Sequence, residues 1–275
     1  METNDEGADM SYADVNGINL YYEIHGTGRP LILLHGGLGS GEMFAPDVLA
    51  AFTAGRQVIL PDLQGHGRTA DVDRPFDFHE MARDIAALID HLSLDRPDVA
   101  GFSMGGAVAL RLAIIAPEKV GKVVSASAGI RRGATYPEIL EQQAQVGAAS
   151  VEFMKDTPMY ESYQRVAPRP EDFPRLLDKI GAAMAVDYDL TDEVRGLEVP
   201  TLIMGADADM VPPSHFVEIF ALLDGGLRDG GWDGSDRPKG GHALAIVPGT
   251  THYNLVDSPL FATLSLAFLD NDAAA

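Results

Sequence analysis

The chain has 275 residues, with 41 Asp and Glu against 20 Lys and Arg, a formal net charge of −21 and no cysteine. This length suits one large α/β domain, or a domain with a modest insertion, and a hydrophobic content of 46% is typical of a globular chain. The missing cysteines exclude disulfides, thiolate catalysis and Cys-ligated zinc, while the negative charge argues against binding to nucleic acid or to anionic membranes.

The N-terminal segment has the features of neither a signal peptide nor a membrane anchor. Residues 1–10 contain four acidic side chains and no basic one, whereas a signal peptide starts with a basic region followed by an apolar one. We expect residues 1–10 to be a disordered, solvated lead. Because no charge-free run of about 18 apolar residues occurs, we expect a soluble, cytoplasmic protein.

The elements that follow in chain order predict an α/β fold. Asn16-Gly17 separates two stretches rich in β-forming residues, and this dipeptide favours a tight antiparallel hairpin. Short, wholly apolar runs, typical of parallel strands that are buried on both faces, occur at 31–34, 58–60, 99–102, 123–124, 201–204 and 243–247. Helical patterns lie between them at 78–92, 107–115, 213–223 and 259–269. This alternation predicts a mostly parallel sheet flanked by helices.

Two stretches interrupt the alternation. Residues 131–195 are helical in composition and lack an apolar strand run, so we predict an inserted helical cap there, with residues 11–130 and 196–275 forming the core domain. Residues 224–241 contain seven glycines and predict a long surface loop. Acidic residues in that loop do not match the spacing of a calcium-binding EF-hand, and we predict no metal site.

The motif Gly101-Phe102-Ser103-Met104-Gly105 carries the chemistry. It follows a predicted strand and precedes a predicted helix, which is the context of a nucleophile elbow. The turn is so tight that side chains two positions before or after the serine would collide with the neighbouring chain. We therefore predict Ser103 as the nucleophile.

A serine hydroxyl needs a base to remove its proton and an acid to orient that base. Of the eight histidines, His252 lies in a loop after the last apolar run, at the sheet edge where α/β folds build their sites. We predict His252 as the base. The acid should follow the run at 201–204, where both Asp207 and Asp209 occur; we prefer Asp209 and keep Asp207 as the alternative.

An oxyanion hole requires two backbone N–H groups. One should belong to Met104, directly after the nucleophile, and the other to the loop after the run at 31–34. Gly37 is the natural donor in that loop because its backbone can approach a substrate closely. We expect His35, in the same loop, to anchor the loop and to transfer no proton.

These motifs resemble those of the α/β-hydrolase superfamily, in the branch of small capped esterases, cofactor-free perhydrolases and carbon–carbon bond hydrolases. The matching stretches, in the family's order, are LILLHGGLGS, LPDLQGHGRT, VAGFSMGGAVAL, TLIMGADADMVPP and VPGTTHYNL. The resemblance implies an α/β-hydrolase fold and a triad of Ser103, Asp209 and His252, with Gly37 and Met104 as oxyanion donors.

The resemblance has two further implications for the site. Asp62 and residues 65–67 should brace the wall of the active site without a catalytic role. Position 103 holds serine where epoxide hydrolases and haloalkane dehalogenases of this superfamily hold aspartate, which disfavours those two activities.

The resulting expectation is a serine hydrolase, without metal or organic cofactor, that cleaves a small, largely apolar carboxylic ester or lactone. The alternatives are a perhydrolase or a carbon–carbon bond hydrolase on the same triad, and a non-catalytic ligand receptor. Leu38, Phe153, Met159 and Tyr160 are the candidates for lining the substrate pocket. The surplus of negative charge favours a neutral substrate, and the sequence leaves open whether the chain forms a homodimer.

Overall fold

A computed structural model describes residues 9–236 and 240–271. Its strands are β1 (Asp9–Val15), β2 (Ile18–His25), β3 (Arg29–Leu34), β4 (Arg56–Pro61), β5 (Asp98–Phe102), β6 (Val123–Ala126), β7 (Thr201–Ala208) and β8 (Ala243–Thr251). They form one sheet in the order β1-β2-β4-β3-β5-β6-β7-β8. From β4 to β8 every neighbouring pair is parallel, whereas β1–β2 and β2–β4 are antiparallel. Each apolar run that predicts a strand lies inside one of these strands.

The α-helices are α1 (Pro46–Thr53), α2 (Phe78–His91), α3 (Met104–Ile115), α4 (Pro137–Gln143), α5 (Val151–Met154), α6 (Pro158–Val166), α7 (Phe173–Ala185), α8 (Thr191–Arg195), α9 (Pro213–Leu222) and α10 (Pro259–Leu269). Short 3-10 helices occur at Gly41–Met43, Pro117–Lys119, Arg132–Ala134, Ala148–Ser150 and Pro170–Asp172. The four predicted helices correspond to α2, α3, α9 and α10.

The sheet begins with the predicted hairpin. Asn16 and Gly17 have φ of 45° and 80°, the left-handed conformations that a two-residue turn of this type needs. Strand β1 pairs with β2 from Asp9 onward, so the prediction of a disordered lead is wrong for residues 9 and 10. Their backbone groups are held by a partner strand, while residues 1–8 of that predicted lead lie outside the described residues.

Helices cover both faces of the sheet, as the wholly apolar strand runs predict. Side chains of α2, α3 and α9 pack into one buried cluster, and those of α1 and α10 pack into a second cluster on the other face. Helix α3 is buried along most of its length, which agrees with its apolar composition on all sides. None of the helices in the described ranges is long and apolar enough to cross a membrane.

Residues 131–195 connect β6 to β7 through helices and turns, with one isolated backbone bridge between Arg131 and Asp189. Helix α7 buries its apolar face in the cluster that also contains α2 and α3. The assignment of 131–195 as a separate cap stays a prediction. The described part of 224–241 forms turns without a regular element, and Trp232 within it is fully exposed.

A buried ion pair holds the amino-terminal end of β5. Asp98 is inaccessible to solvent and its carboxylate accepts hydrogen bonds from Arg56 (2.8 Å), Arg29 (3.1 Å) and the backbone N–H of Lys122 (2.9 Å). The Arg56 side chain is also almost fully buried. Removing one partner of such a pair leaves the other charge buried without compensation.

We predict that Asp98→Asn lowers the free energy of unfolding by about 3 kcal/mol, because the buried Arg56 then keeps only the exposed carboxylate of Asp270 as a counter-charge. Urea denaturation followed by circular dichroism measures the loss. The matched control is Asp95→Asn, which makes the same substitution at an exposed side chain and should change stability by less than about 0.5 kcal/mol. Equal effects of the two substitutions would contradict this account.

Candidate active site

The candidate catalytic residues lie at the carboxyl edge of the sheet. Ser103 directly follows β5, Asp209 directly follows β7 and His252 directly follows β8. The carboxyl ends of parallel strands meet at one edge, where α/β folds build their sites. The structure thereby brings together three residues that are far apart in the chain, Ser103 and His252 being separated by 149 positions.

The three side chains form a continuous hydrogen-bonded chain. Nδ1 of His252 lies 2.7 Å from Oδ1 of Asp209, and Nε2 of His252 lies 3.0 Å from Oγ of Ser103. With Nδ1 donating to the carboxylate, Nε2 is left to accept the serine proton. Asp209 and His252 are buried, whereas Ser103 is partly exposed, so the end of the chain that would meet a substrate is accessible.

Steric crowding shapes the turn that carries Ser103. A Cβ at Gly101 would lie 2.2 Å from the carbonyl oxygen of Gly105, and a Cβ at Gly105 would lie 2.3 Å from that of Leu34. Neither position therefore accepts a side chain. Ser103 itself has φ of 53° and ψ of −114°, a strained conformation for a non-glycine residue, and it stands at the N-terminus of α3.

Of the two candidate acids, only Asp209 contacts His252. Burial by itself raises the pKa of its carboxyl, but the hydrogen bond and charge of His252, with the Ser127 hydroxyl and the Ala206 N–H, bring the pKa below its ordinary value. Asp207 is exposed and accepts the backbone N–H groups of Gly249 and Thr250 at 2.9 and 3.1 Å. It therefore braces the strand that leads to His252.

The candidate oxyanion donors flank Ser103. Gly37 lines the space above the serine, and Met104 follows it as the first residue of α3. Neither backbone N–H has an acceptor among the described residues. A side chain at Gly37 would meet nothing within 4 Å, so this glycine is not required by packing. Two unsatisfied donors beside a nucleophile are the arrangement that binds a developing oxyanion.

His35 anchors the loop that carries Gly37. Its Nδ1 donates to the carbonyl of Gly36 (2.7 Å), and its Nε2 accepts the N–H of Leu63 (3.0 Å). Burial lowers the pKa of His35 to about 3, so the ring is neutral and can play both roles. Asp62, next to Leu63, accepts the N–H groups of Gly41 and Arg68 and so ties the neighbouring loops together.

A cavity of about 910 Å³ opens above Ser103 and His252. Its wall includes apolar side chains from the loop after β3 and from helices α4, α6 and α7, among them Leu38, Met43, Ile139, Met159, Ile180 and Met184. Leu38 and Met159, both predicted to line the pocket, are thus part of the wall. The helices between β6 and β7 cover the candidate nucleophile.

The prediction is wrong for the other two pocket candidates. Phe153 is 87% exposed on the short helix α5 and lies on the outer surface. Tyr160 instead packs edge-on against Phe173, with ring centroids 4.9 Å apart, inside the group of helices. Composition alone could not distinguish these faces, because each helix is short and apolar residues occur on more than one side.

An ion-pair network fastens helix α6 to the core at the cavity entrance. Both Arg165 of α6 and Arg68 donate to the carboxylate of Glu42, at 2.6 and 2.8 Å. The hydrogen bond from Arg165, together with Arg68, lowers the pKa of Glu42 to about 2. Glu42 therefore stays ionised throughout the physiological pH range.

Sequence reasoning missed Ser127, whose hydroxyl donates to Oδ2 of Asp209 at 2.5 Å. Its position in the chain could have revealed it, because Ser127 directly follows β6. That strand lies between β5, which leads to Ser103, and β7, which leads to Asp209. Like Ser103, it has a positive φ, of 52°. Ser127 helps to hold the carboxylate toward His252.

Comparison with known proteins identifies the family. A family model described as the alpha/beta hydrolase fold matches residues 29–180. Over 86% of this chain, the sequence is 30% identical to a protein named as the carbamate hydrolase RutD of Azorhizobium caulinodans, of which 93% is covered. It is also 29% identical to a non-heme haloperoxidase of Rhodococcus erythropolis, over 72% of this chain and 81% of that protein.

The solved structures agree with this family. The enol-lactonase of Burkholderia xenovorans superposes with a TM-score of 0.70 over 94% of this chain and 100% of its own, at 21% identity. The chain therefore belongs to the α/β-hydrolase family and is a hydrolase of that type. This assignment confirms the family resemblance and the fold expected from the motifs.

We predict that the protein loses stability as the pH falls below about 6.5, because His35 and His66 are buried and neutral. Burial lowers their pKa values to about 3 and about 4, whereas both rings titrate near 6.5 in the unfolded chain. At pH values between the pKa of the folded state and that of the unfolded state, the unfolded chain binds more protons. Each of the two histidines therefore lowers the free energy of unfolding by about 1.4 kcal/mol for each unit by which the pH falls.

Urea denaturation at a series of pH values from 7 to about 4.5 measures this dependence. His35→Gln should reduce the slope by the share of one histidine, whereas His91→Gln, at an exposed position, should leave the slope unchanged. A His35→Gln protein with the wild-type slope would show that His35 is not the group responsible.

Proposed function

We propose that the protein is a serine hydrolase that cleaves a small, largely apolar carboxylic ester or lactone through an acyl-enzyme on Ser103. The observation that carries this proposal is the hydrogen-bonded series from Ser103 through His252 to Asp209, at 3.0 and 2.7 Å, at the floor of a large cavity. The chain order of nucleophile, acid and base is that of the α/β hydrolases.

In this mechanism His252 accepts the proton of Ser103 as the hydroxyl attacks the ester carbonyl. The N–H groups of Gly37 and Met104 stabilise the oxyanion of the tetrahedral intermediate. His252 then protonates the leaving alcohol, and the same imidazole activates the water that releases the acid. Asp209 keeps the ring oriented and stabilises the imidazolium that forms twice in each cycle.

The walls of the large cavity support a largely apolar substrate. The segment 131–195 that covers Ser103 contributes methionine and isoleucine side chains from its helices and Val146 from the turn after α4, and Met210 and Val256 add apolar surface from the core. Flexible methionine side chains adapt to substrates of different shapes. These contacts favour burial of a hydrocarbon portion of the ester.

A perhydrolase on the same triad is the second candidate, favoured by the haloperoxidase of Rhodococcus erythropolis among the relatives. In that reaction peroxide replaces water as the acceptor of the acyl group. Adding peroxide and a short carboxylic acid to the purified protein distinguishes the two, because only the perhydrolase forms a peracid under these conditions.

We predict that Ser103→Ala abolishes hydrolysis of a panel of esters, lactones and carbamates, with a loss of at least about 1000-fold in kcat, since no other group attacks the carbonyl. A fluorophosphonate probe should label the wild-type protein at Ser103, as peptide mapping would show, and should not label the variant. Equal ester hydrolysis by the two proteins would contradict a catalytic role for this site.

We predict that Asp209→Asn lowers kcat by about 1000- to 10,000-fold, because an amide no longer holds the imidazole in the required tautomer. Asp207→Asn is the matched control and should stay within a few-fold of wild type, since Asp207 contacts only backbone N–H groups. Thermal denaturation of both variants shows whether each is folded. A larger loss at Asp207 would reverse the assignment of the acid.

A further inference from the structure

A second, smaller chamber of about 170 Å³ adjoins Ser103 on the inner side of the site. Its walls include Phe78, Ala107, Gly129 and Tyr188. None of the described residues that line this inner chamber is an Asp or a Glu. This lack of acidic side chains is a local exception in a chain with a net charge of −21. A positive charge in the chamber, such as that of Arg132, is therefore not offset by an acidic side chain of the lining.

Arg132 lines the inner chamber and has no carboxylate partner. Its Nε donates to the carbonyl of Met184 at 2.9 Å, but its two terminal nitrogens have no acceptor among the described residues, and no Asp or Glu there lies within 4 Å. The neighbouring Arg131 differs, because both of its terminal nitrogens bind Glu218, at 2.6 and 2.7 Å. Arg132 therefore offers an unpaired guanidinium fork, the geometry that matches a carboxylate.

A second guanidinium, which forms no ion pair within 4 Å among the described residues, lies behind the chamber wall, where the charges of Asp77 and Glu193 also act on it. Arg111 of α3 is buried, donates to the carbonyl of Ala107 and has an Nε without a partner in the described part of the chain. Its charge lies between the rings of Phe78 and Tyr188, 5.3 and 5.1 Å from their centroids. Both rings also line the chamber, so the field of Arg111 acts on it across a low-dielectric wall.

Further hydrogen-bonding groups converge on the same space. The side chains of Thr135 and Gln143 line the chamber and have no partner among the residues described. The carboxylate of Asp209 forms no ion pair with Arg132, and its oxygens accept hydrogen bonds from His252, Ser127 and the backbone. Partly exposed hydrogen-bonding groups without a protein partner, and a cation outside any ion pair, thus line a small volume beside the nucleophile.

We propose that the inner chamber binds a carboxylate of the substrate, so that the preferred ester or lactone carries one anionic group on the side that enters this chamber. The proposal rests on the proposed function and adds a substrate class to it. A cavity of roughly 150 Å³ accommodates benzene, so the chamber has room for about six non-hydrogen atoms, a carboxylate with a short hydrocarbon link. The apolar remainder of the substrate occupies the large cavity.

The test compares esters that differ only in charge. In the first pair the varied group is on the acyl side: monoethyl glutarate carries a carboxylate and ethyl glutaramate an isosteric amide. In the second pair it is on the alcohol side: γ-acetoxybutyrate carries the carboxylate and γ-acetoxybutyramide the amide. The readout is the ratio of kcat/KM for the carboxylate to that for the amide. We expect wild-type protein to prefer the carboxylate in one of the two pairs.

In that pair Arg132→Gln should lower the ratio roughly tenfold to a hundredfold, mainly through KM, because a charge-assisted hydrogen bond is lost. Arg132→Lys should retain part of the preference. The matched control is Arg195→Gln, which removes the same charge from an exposed side chain paired with Asp192 and should leave the ratio unchanged. Thr135→Val, a nearly isosteric change, should lower the ratio a few-fold. This variant tests the same chamber if the Arg132→Gln protein does not fold.

The outcomes separate the two proposals. Hydrolysis of the amide esters without a preference for either carboxylate, or a ratio unaffected by Arg132→Gln, Arg132→Lys and Thr135→Val, overturns the carboxylate site and leaves the serine hydrolase standing. A wild-type protein that hydrolyses none of these esters and is not labelled at Ser103 overturns the proposed function, and the carboxylate site with it.

Discussion

The close approach of helix α3 to the backbone of the sheet is the constraint on which the rest of the site depends. Glycine is required at Gly101 and Gly105 because a Cβ at either would lie within 2.3 Å of a carbonyl carbon or oxygen, and at Gly106 a Cβ would lie 2.7 Å from the carbonyl oxygen of Ala126. This contact forces Ser103 into a strained turn, which raises its hydroxyl above the sheet at the N-terminus of a buried helix. Tertiary packing therefore stabilises a conformation that the local chain disfavours.

The parallel arrangement of the neighbouring strands brings the other site residues close to this turn. Neighbouring strands β3, β5, β6, β7 and β8 end at the same edge, and each is followed within three residues by a group that faces the nucleophile or supports it. Gly37 follows β3, Ser127 follows β6, Asp209 follows β7 and His252 follows β8. The rigid sheet, with the buried carboxylate of Asp98 at its other end, brings these groups within hydrogen-bonding distance, and the bonds of Asp209 to Ser127 and His252 join their loops directly.

Charge is distributed unevenly in this molecule, and the net value of −21 describes its surface better than its interior. At the cavity entrance Glu42 is fully paired with Arg68 and Arg165. Deeper in the site, Arg132 and Arg111 lack such partners, and acidic side chains are missing from the described walls around them. A summed charge governs long-range attraction, whereas recognition inside a small chamber depends on the few groups that line it.

The sequence by itself determined the strands, the hairpin, the elbow and the candidate base, because each depends on a local pattern: apolar runs, an Asn-Gly pair, glycines around Ser103, and His252 just after the last strand. Only the tertiary structure distinguished Asp209 from Asp207, since Asp207 is the penultimate residue of β7 and Asp209 directly follows the strand, and the directions of their side chains depend on how this strand end packs. It also decided which helical faces line the cavity, excluding Phe153 and Tyr160. Such long-range contacts are set by how elements pack together, and residue spacing within one element does not encode them.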